Sequence, residues 1–199
     1  MGVLGGSFNP AHQGHLHVAR IARRRLRLHQ VWLLVSPGNP LKPRAGMAPF
    51  AERLASARRI ADGRRVIATG LERGLGTRYT VDTLAALRTR FPRARFVWLM
   101  GADNLEQLPR WRCWMRIVTQ ATFAVLPRPT YNHRALAGLA ARRLRRSRLR
   151  SEALPVLAAL DPPRWGFVPA PQNAASATAI RAALSGDRRH RPQAAHAAR

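Results

Sequence analysis

The sequence predicts a doubly wound α/β fold: a mostly parallel sheet of about five to six strands with helices on both faces. Three observations carry that prediction. Short apolar, β-branched runs alternate with helix-period segments along the chain. The run "RFVWLMGAD" is almost continuously apolar, as a strand covered on both faces must be. The first strand-like run, "MGVLGG", ends in two glycines and leads into a helix, the kind of turn at which such sheets bind anions.

Each element follows in order. "MGVLGG" is a short first strand. "HLHVARIARRRLRL" is a helix with Leu16, Ala19 and Ala22 along one side and arginines elsewhere. "VWLLVSP", residues 31–37, is the second strand, and "GNPLKPRAGM" is a loop by its Gly and Pro content. "PFAERLASARRIA" is a helix and "RRVIATG" the third strand. "YTVDTLAALRTRF" is a helix with Thr80 as its N-cap. "RFVWLMGAD" is the fourth strand, ending at Asp103; "ATFAVLPRP" is the fifth and "RWGFVPA" the sixth. "SATAIRAAL" opens a last helix capped by Ser176. No repeat interrupts this order. Residues 1–185 are read as one domain and residues 186–199, rich in Arg and Ala, as a basic tail expected to be disordered.

Strand–helix alternation with right-handed crossovers gathers the carboxyl ends of the strands on one edge, the Rossmann-like arrangement. Ligands bind there, where the strand order reverses. Five segments could meet at that edge: "GGSFNPAHQGH", "SPGNPLK", "TRYT", "GADNLEQLPRW" and "SATAIR".

Composition narrows the setting. Lys and Arg total 35 against 9 acids, a formal net charge of +26, and Lys42 is the only lysine. Such a field attracts phosphates of any kind. A nucleic-acid module is one reading of it; a solvated surface decorated by an Arg/Ala bias is the other. The arginines are scattered and no zinc-finger, RRM or basic-zipper pattern occurs, so a specific nucleic-acid partner is not expected, although a helix-turn-helix stays open. The densest basic run, "RRLRRSRLR" at 142–150, has no assigned role. No apolar run reaches membrane-span length, no secretory signal opens the chain, and Gly6 stands where a myristoylation signal wants Ser or Thr. Cys113 is the only cysteine, so no disulfide forms within the chain. No membrane partner and a cytoplasmic setting are the expectations; oligomeric state is left open.

The chemistry is concentrated in "GGSFNPAHQGHLH", residues 5–17. Gly5 and Gly6 let the backbone turn tightly and approach a ligand. The helix that follows offers free N–H groups and a partial positive charge, which suit phosphate. His12 and His15, three residues apart, share one face of its first turn. No acid occurs before Glu52. The spacing is not the G-x-G-x-x-G dinucleotide fingerprint, nor a Walker loop, since no Gly-Lys-Ser/Thr follows. A metal at the two histidines lacks a third ligand nearby in sequence, and no metal-ligating residue is assigned.

These residues resemble a known family. "GGSFNPAHQGH" is similar to the (H/T)xGH signature of nucleotidylyltransferases, which also occurs in class I aminoacyl-tRNA synthetases; "SATAIR" at 176–181 resembles their C-terminal S-x-T-x-I-R element. "TRYTVDTL" at 77–84 and "WLMGADNLEQLPRW" at 98–111 resemble stretches of the bacterial nicotinate-nucleotide adenylyltransferases. The likeness runs from about residue 2 to 184. It implies transfer of AMP from ATP to nicotinate mononucleotide, giving nicotinate adenine dinucleotide and pyrophosphate. It implies that His12 and His15 contact the ATP phosphates and stabilise the transition state, and that the N–H groups of Gly6, Ser7 and Phe8 line the nucleotide site. Lys42, Ser176, Thr178 and Arg181 would bind phosphates. Asp103 would lie near a ribose, Trp111 would stack on the nicotinate ring, Thr80 would stand at a helix N-terminus receiving its carboxylate, and Arg128 would meet the mononucleotide phosphate. Mg²⁺ is expected on ATP oxygens and water.

Six assignments have a plainer competitor: helix caps for Ser176, Thr80 and Asp103, core packing for Trp111 beside Trp114, and surface solvation for Arg128 and Arg181. The chain also departs from the pattern. Asn39-Pro40-Leu41-Lys42 replaces P-P-H-K, Thr130 stands where glycine is common, and Ala175 replaces isoleucine. The rival enzyme is another adenylyltransferase of the same fold, such as the phosphopantetheine type, which would not account for "TRYTVDTL" or the Trp111 segment.

Overall fold

The computed structural model describes residues 1–38, 45–171, 177 and 181. Its strands are β1 (Gly2–Gly6), β2 (Val31–Val35), β3 (Val66–Thr69), β4 (Val97–Gly101), β5 (Thr122–Leu126), β6 (Arg148–Leu149) and β7 (Trp165–Phe167). They form one sheet in the order β3-β2-β1-β4-β5-β7-β6, and every pairing is parallel. The helices are α1 (Gln13–Arg25), α2 (Phe50–Ile60), α3 (Leu71–Gly74), α4 (Thr80–Arg90), α5 (Ala102–Gln107), α6 (Trp114–Gln120), α7 (Asn132–Ala137) and α8 (Leu139–Arg143), with a 3₁₀ segment at Ser151–Ala159.

Successive residues of a strand face opposite sides of the sheet, and both sides are packed. Val3, Leu34, Trp98, Met100, Phe123 and Val125 join Val81, Leu84 and Leu87 of α4 on one face. Leu4, Leu33, Leu99, Ala124 and Leu126 join Leu16, Ala19 and Ala22 of α1 and Ala57 of α2 on the other. The apolar stripe on α1 is therefore the one its sequence spacing marks.

The sheet has seven strands, not five or six. The additional one, β6, is two residues long and lies inside the arginine run, too short to show any alternation. Pairing with β7 makes it a strand: Arg148 lies opposite Trp165 and Leu149 opposite Gly166. The Arg148 guanidinium lies over the Trp165 ring at 5.4 Å, so part of that run packs on the sheet edge.

Two local expectations are corrected. Asp103 does not end β4; the strand stops at Gly101, and Asp103 lies in the first turn of α5. Thr80 is not the cap of α4. Tyr79 is, in extended conformation and with no side-chain cap, and Thr80 is the first helical residue. The Tyr79 carbonyl already accepts from the N–H groups of Asp82 and Thr83, which starts the helix one residue later than a cap at Thr80 requires. The proposed cap Ser176 and the tail 186–199 lie outside the described residues. Among the described residues no helix is long and apolar enough to cross a membrane.

The order 3-2-1-4-5 reverses at β1. Chain segments after β1 build outward through β2 and β3; β4 then returns to the other side of β1. The crossovers on the two sides diverge, which leaves an opening above the carboxyl ends of β1 and β4.

Thr130, in the loop after β5, adopts φ 68°. A β-branched residue in the left-handed region is strained by roughly 1–2 kcal/mol, and glycine is the residue the family pattern favours there. Thr130→Gly should raise stability by about 1 kcal/mol after glycine's entropy loss, a rise in Tm of roughly 2–4 °C for a chain of this size. Thermal unfolding of the two proteins checks it; an unchanged or lowered Tm would show that the turn carries no strain.

Candidate active site

The opening above β1 and β4 is a cleft of about 920 Å³. One wall is the chain leaving β1. Gly6, Ser7 and Phe8 line it, with His12 and His15 at the start of α1. Phe8 is buried, adopts φ 47° and sets its ring 4.9 Å from that of His15.

The two histidines form a reciprocal cap. His12 is the N-cap of α1, and its Nδ1 accepts the N–H of Gly14 at 3.2 Å. The Nδ1 of His15 accepts the N–H of His12, also at 3.2 Å. Imidazoles thus fill the roles that Ser/Thr and Glu/Gln play in an ordinary capping box. A neutral imidazole accepting at Nδ1 carries its proton on Nε2, so each ring is an N–H donor at that nitrogen. The rings are 3.9 Å apart. Burial, and secondarily the charge of Arg128, hold the His12 pKa below the ordinary histidine value, which favours this neutral donor form.

The opposite wall comes from the ends of β4 and β5 and the start of α4. Asp103, Trp111, Arg128, Tyr79 and Thr80 line it. Arg128 Nε lies 3.7 Å from Asp103 Oδ1, with both side chains about one-third exposed, so the pair is a modest attraction. The Arg128 N–H is fixed by Asn132 Oδ1 at 2.8 Å. Gly101 makes room for the pair: a Cβ there would stand 2.3 Å from Asp103 Oδ1. Trp111 is half-buried against the core of that face while also lining the cleft, so both of its proposed surroundings are present.

The C-terminal element reaches the same place. Ala177 lines the cleft, and Arg181 Nη1 donates to the carbonyl of Asn9 at 2.6 Å, across 172 positions of sequence. The structure therefore brings together Gly6, Ser7, Phe8, His12, His15, Thr80, Asp103, Trp111 and Arg128 around one hollow, with Arg181 on the backbone of its rim. Lys42, Ser176 and Thr178 lie outside the described residues.

Three further groups at this edge have no counterpart in the sequence reading. Arg53 of α2 is 2% exposed and binds four carbonyls: Ala48 at 3.0 Å, Ser7 at 2.7 Å, Ser36 at 2.8 Å and Pro37 at 3.2 Å. Its position was readable, because Phe50, Arg53, Ala57 and Ile60 fall at core-facing helical spacing. Glu72 of α3 is buried at the cleft and accepts from Thr83 Oγ1 at 2.9 Å; burial raises its pKa despite that bond. Trp98 of β4 packs its ring against Gly5, where a Cβ would meet it at 2.8 Å, and its buried indole N–H has no partner among the described residues. Among the described residues no group of three His, Cys, Asp or Glu side chains could hold a metal ion.

Comparison with known proteins agrees with this geometry. A cytidylyltransferase-like family model matches residues 3–183. The chain is 60% identical over 196 residues to the probable nicotinate-nucleotide adenylyltransferase of Gluconacetobacter diazotrophicus, covering 98% of this chain and 91% of that one. It is 60% identical over 181 residues to the protein of the same name from Gluconobacter oxydans, covering 91% and 93%. Among solved structures it is similar to the Plasmodium falciparum nicotinic acid mononucleotide adenylyltransferase complexed with NaAD, with a TM-score of 0.66 at 16% identity, covering 91% of this chain and 82% of that one. At that identity the likeness is one of fold.

The His12 cap makes a pH prediction. Its folded pKa lies below the unfolded value of about 6.5, so the unfolded chain takes up the proton first. The stability is fully present above about pH 6.5 and is lost as pH falls through the folded pKa. In urea unfolding, His12→Asn keeps a capping acceptor without a titrating ring, and it should lose less stability than the wild type between about pH 7.5 and 5. Parallel losses in the two proteins would remove His12 as the cause.

Proposed function

The chain belongs to the cytidylyltransferase-like family, among the nicotinate-nucleotide adenylyltransferases, and from that premise we propose that it joins ATP to nicotinate mononucleotide, releasing pyrophosphate, as a step in making a pyridine dinucleotide. The observation that carries this reading is the pair of imidazoles that cap α1 through Nδ1, in one cleft with Asp103, Trp111 and Arg128 at the point where the sheet reverses.

In this reading a phosphate oxygen of the mononucleotide attacks the α-phosphorus of ATP. A new P–O bond forms there, the bond to the β-phosphate oxygen breaks, and pyrophosphate leaves with its electron pair. No protein nucleophile is required, since the attacking phosphate is one already. Catalysis then consists of aligning two anions and stabilising charge as it develops at phosphorus. The Nε2–H groups of His12 and His15 and the N–H groups of the turn at Gly6–Phe8 would supply that stabilisation. Lys42, Ser176, Thr178 and Arg181 would add phosphate contacts from the second and last loops. Arg128 would receive the mononucleotide phosphate, Asp103 a ribose hydroxyl, Trp111 the pyridine ring and the N-terminus of α4 at Thr80 the nicotinate carboxylate.

Mg²⁺ on the triphosphate would offset phosphate charge, held by phosphate oxygens and water. A cytoplasmic setting fits the single cysteine. Binding to nucleic acid through the net charge of +26 would be nonspecific and strongly salt-dependent.

The deciding assay mixes the protein with ATP, Mg²⁺ and nicotinate mononucleotide and measures pyrophosphate. Formation of the dinucleotide is expected; turnover only when phosphopantetheine replaces the mononucleotide would transfer the chain to the rival activity. His15→Ala should lower kcat by about a hundredfold or more, the scale of one lost transition-state donor; a change within a few-fold would leave His15 without a catalytic task. Trp111→Ala should raise KM for the mononucleotide far more than KM for ATP, and equal effects on the two would make Trp111 a packing residue.

A further inference from the structure

We propose that Arg53 is a positioning residue for phosphate binding: from beneath the cleft its guanidinium fork turns the Phe8 and Gly38 N–H groups toward the triphosphate and supplies a buried positive charge for it. The proposal rests on the reading of this cleft as a triphosphate site.

Arg53 has an unusual partner set. A buried arginine is normally paired with a carboxylate, because an isolated charge in the interior is costly. Arg53 is 2% exposed, and among the described residues no carboxylate lies within ion-pair distance of it. Its donors go to carbonyl oxygens from three separate segments: the turn after β1 (Ser7), the turn after β2 (Ser36 and Pro37) and the entry to α2 (Ala48). The guanidinium also sits 5.6 Å from the Phe50 ring. Carbonyl dipoles and a ring face solvate the charge without cancelling it.

The geometry of the peptide unit supplies the second step. In a trans peptide the C=O and the following N–H point in opposite directions. The Ser7–Phe8 and Pro37–Gly38 peptides are both trans. With the Ser7 and Pro37 carbonyls drawn onto Arg53, the N–H groups of Phe8 and Gly38 are aimed away from it. Both residues line the cleft, and neither N–H has a backbone partner among the described residues. One side chain thus sets two donors on two loops, which is the fixed-dipole arrangement that stabilises developing phosphate charge without reorganisation.

Other bonds join the same turns. Ala48 N–H donates to Asn9 Oδ1 at 3.1 Å, Asn9 Nδ2 donates to the Gly46 carbonyl at 2.9 Å, and Ala11 N–H donates to Ser56 Oγ at 3.1 Å. These hold the segments near each other. Among the described residues Arg53 is the side chain that hydrogen-bonds both the Ser7 and the Pro37 carbonyl.

The test compares wild type with Arg53→Lys, which keeps the charge and loses the fork, and Arg53→Gln, which loses both. Steady-state kinetics are measured with each substrate varied, and pyrophosphate binding is measured by calorimetry. Both variants should raise KM for ATP and weaken pyrophosphate binding by about tenfold or more, while KM for the mononucleotide stays within about threefold. Values for ATP and pyrophosphate within about threefold of wild type, whatever the loss of Tm, would overturn the proposal, as would equal changes in both KM values. Should neither variant fold, the amide resonances of Phe8 and Gly38 in ¹⁵N-labelled wild type decide it: both should shift on adding pyrophosphate, and stationary signals would overturn it. A wild type that makes no dinucleotide defeats the proposed reaction, and the pyrophosphate titration still judges Arg53. An active wild type with unaffected variants defeats Arg53 alone.

Discussion

The reversal of strand order at β1 is the constraint on which the rest of the molecule depends. Right-handed crossovers carry the chain away from β1 through β2 and β3 and then oblige it to restart on the other side with β4. Helices therefore diverge above the carboxyl ends of β1 and β4, and a cleft is left that no single segment encloses. Ser7, Phe8, Asp103 and Arg128 stand at that rim because β1, β4 and β5 end just before them. Gly5 and Gly101 are tight places near the rim: the first yields to the Trp98 ring and the second to the Asp103 carboxylate.

The electrostatics follow from that placement. In the proposed reading anions meet the imidazole donors, Arg128 and the buried charge of Arg53 at the rim, while the acids that reach it are restrained. Asp103 is offset by Arg128 at 3.7 Å, and Glu72 is buried against Thr83 with its pKa raised, so it resists ionisation beside the cleft. The exposed arginines contribute a diffuse field that salt screens. The buried one differs in kind, because its surroundings do not screen it and its donors are already committed to backbone.

The histidine pair combines a structural and a chemical task. Nδ1 of each ring satisfies an N–H that the start of α1 would otherwise leave open, and this leaves Nε2 as the donor. Capping and tautomer are thus one decision. A serine in place of His12 could cap the helix equally well but would not extend an N–H as far into the cleft. The spacing of two residues between the rings is the capping-box spacing, which explains why the pair sits at this point of a helix.

Much of this was legible in sequence, because it depends on local chemistry. Alternation of apolar runs marked an α/β sheet, the glycines ending the first strand marked the turn before the histidine helix, and helical spacing put Leu16, Ala19 and Ala22 on one side of α1. The resemblance pointed to the residues that the cleft unites. What only the tertiary structure decided involves partners distant in sequence. β6 exists because β7 pairs with two residues of an arginine run. Asp103 joined a helix because β4 stops at Gly101, and the α4 cap fell on Tyr79 because its carbonyl takes the first helical bonds. Arg53 looked like one arginine among many, since its role lies in four carbonyls from segments that the sheet, not the chain order, brings together. Periodicity reports the environment of a face; hydrogen bonds between loops depend on where the strands end, and that is a property of the folded sheet.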